Sequence, residues 1–287
     1  MKKNNDSKRL FEEGKKYIDA RQFDEALKKF DEILELKENR RWALYRKAFC
    51  LRKLDEYSRE QTILDKALNL YQGDELFLNE QGLLYYDQGE YTKALDAFEK
   101  TLEKNRNDKF ALKWKIILLR TLFRFEEAET AIKEALDQFP GNVDILDQLA
   151  FLYYYQRKYD KAIEIFDKIL TDDKYQGREY ALAISISSFR RQFRFKDAET
   201  VIKKALDQLP HNPTIVNAQG LVYYDQRQYD KAITSFDDVL KNDTKNEFAY
   251  QMKINSLRKM RQFKDAETVI KEALDQLPHN PTIVNAQ

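Results

Sequence analysis

The chain has 287 residues, 43% hydrophobic and 34% charged, and its 50 basic and 49 acidic side chains leave a net charge of +1. That balance speaks against a general binder of nucleic acid or of an acidic membrane, which carries a basic excess. The single cysteine, Cys50, excludes an internal disulfide framework, and 7 glycines with 5 prolines are too few to punctuate an all-β fold.

The opening stretch MKKNNDSKRLFEEG is basic, but no apolar run follows it, so it does not read as a secretory signal. No segment approaches the roughly 18 consecutive apolar residues of a membrane span. A cytoplasmic location without membrane attachment is the expectation.

Further along, one type of line recurs. GKKYIDARQFDEALKKF begins at Gly14, GLLYYDQGEYTKALDAF at Gly82, AFLYYYQRKYDKAIEIF at Ala150 and GLVYYDQRQYDKAITSF at Gly220. Residues 196–219 and 264–287 are near copies, 68 positions apart, that differ only at Lys204 against Glu272. After a tail at 1–6, the chain divides into repeats 7–40, 41–74, 75–108, 109–142, 143–178, 179–212, 213–246 and 247–280, with 281–287 opening a ninth. Each has 34 residues except 143–178, which carries two more within DDKYQGR.

Within a repeat, apolar or small residues at positions 4, 7, 8, 11 and 14 predict an amphipathic helix A. Positions 20, 24, 27 and 28 predict a helix B. Position 17 is always aromatic: Phe23, Tyr57, Tyr91, Phe125, Tyr159, Phe195, Tyr229 and Phe263. Pro140, Pro210 and Pro278 stand where helix B ends. Asp74, Asp108, Asn142, Asn212, Asn246 and Asn280 hold the N-cap position of the next helix A, and Pro213 and Pro281 follow at a position that tolerates proline.

This pattern resembles the tetratricopeptide repeat family. Repeat three carries Gly82, Tyr85, Gly89, Tyr91, Ala94 and Phe98 at the family's positions 8, 11, 15, 17, 20 and 24, and repeat seven carries Gly220, Tyr223, Tyr229, Ala232 and Phe236. The resemblance covers residues 7–287. It implies an all-α solenoid of stacked antiparallel helix pairs, wound as a right-handed superhelix with helix A on the concave side. It also implies a non-enzymatic scaffold that binds a protein or an extended peptide.

Two departures are informative. Position 20 is alanine everywhere except Glu60 in repeat two, where a carboxylate is costly unless it is paired or the helices splay. Odd repeats combine a small residue at position 8 with Phe30, Phe98, Phe166 or Phe236 at position 24. Later even repeats reverse this, with Ile116, Ile186 and Ile254 at position 8 and Ile132, Ile202 and Ile270 at position 24. Volume moves between the helices while the pair still fills its core, so the duplicating block is the 68-residue pair.

No catalytic, metal or cofactor constellation stands out. His211 and His279 are duplicated loop residues, and Cys50, between apolar neighbours, reads as a buried inert thiol. The candidate binding stripe runs along the face of helix A that the resemblance places on the concave side. It comprises Tyr86, Tyr154 and Tyr224 alternating with Arg52, Arg120, Arg190 and Arg258 at position 12. Trp42, Phe110, Tyr180 and Phe248 follow at position 2 of the even repeats, with Asn79 and Asn217 at position 5 and Asn255 at position 9. Tyr and Arg anchor interfaces, and Arg grips carboxylates with two hydrogen bonds. A second reading stands beside it: the same residues form a ladder that stiffens the stack. The residues that clamp a carboxylate tail in some family members are missing, since repeats one to three offer Phe11 and Lys15, then Arg46, then Leu76 and Glu80. RNA binding by a related helix-pair array is disfavoured by the neutral charge. The stop at Gln287, inside the ninth repeat, suggests a sensor or regulatory segment of a larger multidomain protein, or end-to-end self-association through an uncapped last repeat.

Overall fold

A computed structural model describes residues 2–37, 39–171, 177–278 and 280–284. Residues 172–176 of the DDKYQGR stretch, His279 and residues 285–287 lie outside the described residues.

The two apolar stripes of each repeat become two helices folded against each other. In chain order these are α1 (Lys2–Asp19), α2 (Phe23–Leu36), α3 (Arg40–Lys53), α4 (Tyr57–Leu70), α5 (Glu75–Asp87), α6 (Tyr91–Lys104), α7 (Lys109–Thr121), α8 (Phe125–Gln138) and α9 (Val143–Tyr155). They continue as α10 (Tyr159–Ile169), α11 (Arg178–Arg191), α12 (Phe195–Gln208), α13 (Pro213–Asp225), α14 (Tyr229–Asn242), α15 (Glu247–Lys259), α16 (Phe263–Gln276) and α17 (Pro281–Val284). Odd-numbered helices are helix A and even-numbered ones helix B. The position-17 aromatic is the first residue of every helix B. Helix α1 already begins at Lys2, so residues 2–6 are helical rather than a tail apart from the first repeat.

The turn between A and B is the same in every repeat. The N–H of position 16 donates to the carbonyl of position 11, as from Gln22 to Tyr17 (2.8 Å), Glu90 to Tyr85 (2.8 Å) and Gln228 to Tyr223 (2.8 Å). This closure puts position 15 in the left-handed region. Gly89 adopts φ +75° there, but the other repeats place Arg21, Asp55, Phe123, Arg157, Phe193, Arg227 and Arg261 there at φ between +56° and +61°. The six expected caps of helix A all form, among them Asp74 accepting from the Leu76 N–H (3.0 Å) and Asn212 accepting from the N–H groups of Thr214 and Ile215.

The exchange of volume between helices is explicit in the core. A Cβ at Gly14, Gly82 or Gly220 would lie 2.5–2.7 Å from the ring of Phe30, Phe98 or Phe236, each fully buried. In the later even repeats Ile116, Ile186 and Ile254 occupy position 8 and are themselves buried. The chain forms two compact bodies, residues 1–148 and 149–287, with the division inside α9. In the first, α1 to α8 pack as successive antiparallel pairs. In the second, α11 to α16 do the same, and α17 seats the buried Ile283 against α15 and α16.

Candidate functional site

Position 12 lies in the last turn of helix A, and three of its arginines reach toward the following repeat. Arg52 donates from Nε to Oε1 of Glu80 (3.0 Å), at position 6 of the next helix A, and its Nη2 lies 2.9 Å from the same oxygen in an ion pair. Arg120 donates to Gln148, again at position 6 of the next helix A (3.3 Å), and Arg190 donates to Asp225 of α13 (2.7 Å). Three arginines of the stripe thus bridge adjacent repeats. Arg258, at the same position, is exposed. The alternating tyrosines fold back on their own repeats: the Tyr86, Tyr154 and Tyr224 rings lie 5.4–5.7 Å from Tyr91, Tyr159 and Tyr229 at position 17. Tyr86 also meets Trp114 of the next helix A at 4.8 Å.

The position-2 aromatics behave differently. Phe110 meets Phe98 edge-on at 6.1 Å and Phe248 meets Phe236 at 6.4 Å, so one rim of each ring sits on the preceding helix B. The rest is open, with Trp42 45%, Phe110 45%, Tyr180 58% and Phe248 39% exposed. Among the asparagines, Asn79 donates to Asp108 (3.3 Å), and Asn255 lies 4.0 Å from the Met252 sulfur. The Oδ1 atoms of Asn79 and Asn217 are shut off from solvent without a hydrogen-bond partner.

The sequence pattern passed over one feature. A cleft of about 570 Å³ opens between α1 and α3, lined by Lys8, Phe11, Glu12, Lys15, Asn39, Trp42 and Arg46. Lys15 pairs with Glu12 at 3.3 Å, and the Arg46 guanidinium lies 5.5 Å from the Tyr45 ring centre while its buried Nε has no hydrogen-bond partner. Three cations against one carboxylate, beside Trp42 and Phe11, make a cationic, aromatic-walled cleft. Its signal was present at positions 2, 5, 6 and 9, but repeat one lacks the Tyr–Arg alternation seen elsewhere.

Burial pushes the Cys50 thiol up to about 12, which keeps it protonated and a poor nucleophile. Among the described residues no group of three or more His, Cys, Asp or Glu side chains is placed to hold a metal ion, and no helix is long and apolar enough to cross a membrane.

Tetratricopeptide-repeat profiles match residues 79–143 and 185–247, and a second such profile matches 119–184, together spanning 79–247. A TPR repeat-containing protein of Methanocaldococcus jannaschii, MJ1428, is 21% identical over 90% of this chain and 47% of its own length. The chain spans less than half the length of the curated relatives it matches. A tetratricopeptide repeat protein from Parabacteroides merdae shares the fold with a TM-score of 0.72 at 16% identity, over 88% of this chain and 99% of that one. A human IFIT1 dimer solved with m7Gppp-AAAA gives 0.57 at 19% identity, over 91% of this chain and 66% of that one. Eight helix pairs in register, the shared turn and cap geometry and these matches lead to one conclusion: the chain belongs to the tetratricopeptide repeat family.

Proposed function

We propose that the chain is a non-enzymatic scaffold that binds a protein or an extended peptide along the A-helix faces of its repeats. The observation that carries this reading is the recurrence of a half-exposed aromatic at position 2 of every even repeat: Trp42, Phe110, Tyr180 and Phe248. Exposed aromatic surface carried on a rigid helix loses little side-chain entropy on binding and supplies large contact area. In this reading Arg120 and Arg190 are positioning residues that fix one A helix against the next. Tyr86, Tyr154, Tyr224, Asn79, Asn217, Asn255 and Arg258 flank the aromatics.

A protein ligand is favoured over RNA because the net charge is +1 and much of the cationic surface is already engaged by carboxylates, as in Arg124 with Glu127 and Arg194 with Asp197. A role as the sensor or regulatory arm of a longer polypeptide is compatible with the same binding face.

The test is a quantitative pull-down comparing the wild-type chain with a Trp42→Ala, Phe110→Ala, Tyr180→Ala, Phe248→Ala variant. A Phe123→Ala variant, altered on an exposed A–B turn, serves as control. Partner recovery is expected to fall about tenfold or more in the first and to hold in the second. Equal recovery from all three proteins would remove the A-helix face from the mechanism.

A further inference from the structure

Position 20 lies where helices A and B cross, and seven repeats fill it with a buried alanine. Repeat two places Glu60 there, fully buried, with neither carboxylate oxygen hydrogen-bonded. The nearest cation is Arg52 of α3, at 3.8 Å. That guanidinium already serves Glu80 at 2.9 Å and lies 3.6 Å from Asp87, both on α5. Three carboxylates therefore converge on one cation, and the most deeply buried of them has the poorest contact with it.

The other titratable groups around the joint do not change this balance. On α3, Lys53 acts on Glu80, and the Tyr45 phenol is pushed up by burial and then by the Glu80 charge. At the start of α4, the Tyr57 phenol is held up chiefly by its hydrogen bond to Asp55, with Asp87 and Glu60 adding to it.

We propose that this joint is a proton-sensitive latch: Glu60 sits in it as the neutral acid, and ionisation of its carboxyl loosens α4 from α3 and α5. A neutral carboxyl needs no counter-ion in an apolar crossing, whereas a carboxylate there would compete with Glu80 for Arg52. Burial, reinforced by the Glu80 charge and only partly offset by Arg52, pushes Glu60 up to about 8 from its ordinary 4.5. The sign follows. The closed joint binds a proton that the open one releases, so the stabilisation is complete below about 4.5 and is lost as pH rises to about 8.

The experiment is amide hydrogen exchange on the full chain at pH values from about 5.5 to about 7.5, corrected for the intrinsic pH dependence of exchange. In the wild type the opening constant of α4 is expected to rise by up to about tenfold per pH unit, while Glu60→Gln and Glu60→Ala stay flat. Carbon-13 spectra of glutamate-labelled protein should show one protonated carboxyl at neutral pH that is absent from Glu60→Gln. The same exchange slope in wild type and Glu60→Gln, or a fully ionised Glu60 at neutral pH, overturns the proposal.

Discussion

Gly82 and Phe98 are a single packing unit split between two helices: a Cβ on the glycine would lie 2.7 Å from the phenylalanine ring. The ring is fully buried and stacked on Trp114 at 5.8 Å, so it has nowhere to move. Gly82→Ala should therefore destabilise the protein by about 1–3 kcal/mol despite the better helix propensity of alanine. Urea unfolding measures this. A companion Phe98→Leu change, which makes room, should recover part of the loss in the double variant.

Position 15 makes the opposite case. The exposed Arg227 sits at φ +61°, where a side chain is strained and glycine is not. Arg227→Gly is expected to stabilise by up to about 1 kcal/mol, the relief of strain exceeding the added freedom of the unfolded chain. Gly89→Ala, at the same position with φ +75°, should destabilise by a similar amount. Thermal unfolding of the two variants should shift in opposite directions.

Asn212 caps α13 by accepting from two backbone N–H groups and also donates to Glu179 at 2.7 Å. Asn212→Ala should cost about 1 kcal/mol, and Asn212→Asp should retain most of the cap. Denaturant midpoints for the pair separate the cap from the cross-repeat bond.

Arg52 is 12% exposed and is the cation nearest to both Glu80 and Glu60. Arg52→Met keeps much of the volume but leaves the buried Glu80 without its counter-charge, for an expected loss of about 3–5 kcal/mol. Combining it with Glu80→Gln should return a large part of that loss, because the uncompensated charge is then gone. A double-mutant cycle in urea reads the coupling directly.

The fold was legible because its signals are local. An aromatic at position 17 opens every helix B, and Asp74, Asp108 and Asn212 cap helix A where the 34-residue period places them. The alternation of small residue and phenylalanine was also readable, since both partners lie in one repeat. The position-12 arginines were harder to interpret. Their partners, Glu80, Gln148 and Asp225, lie on the next repeat and at two different positions, so the choice between ligand contact and stacking ladder depends on register across repeats. The cleft between α1 and α3 was missed for a related reason. Its walls, including Lys8, Lys15, Trp42 and Arg46, come from two repeats that individually depart from the pattern seen elsewhere. Glu60 stood out in the sequence as a misfit, but nothing there showed that Arg52 would be shared with α5.

The binding face is tested most directly by site-specific photocrosslinking in the presence of cell extract. A benzophenone amino acid is placed in turn at Trp42, Phe110, Tyr180 and Phe248, and at Phe123 and Phe193, which are 76% and 79% exposed on the A–B turns. Recovery of the same protein adduct from the first four sites and not from the turn sites is the result expected of a scaffold that binds through its A-helix faces. Adducts confined to Phe123 and Phe193 would contradict it.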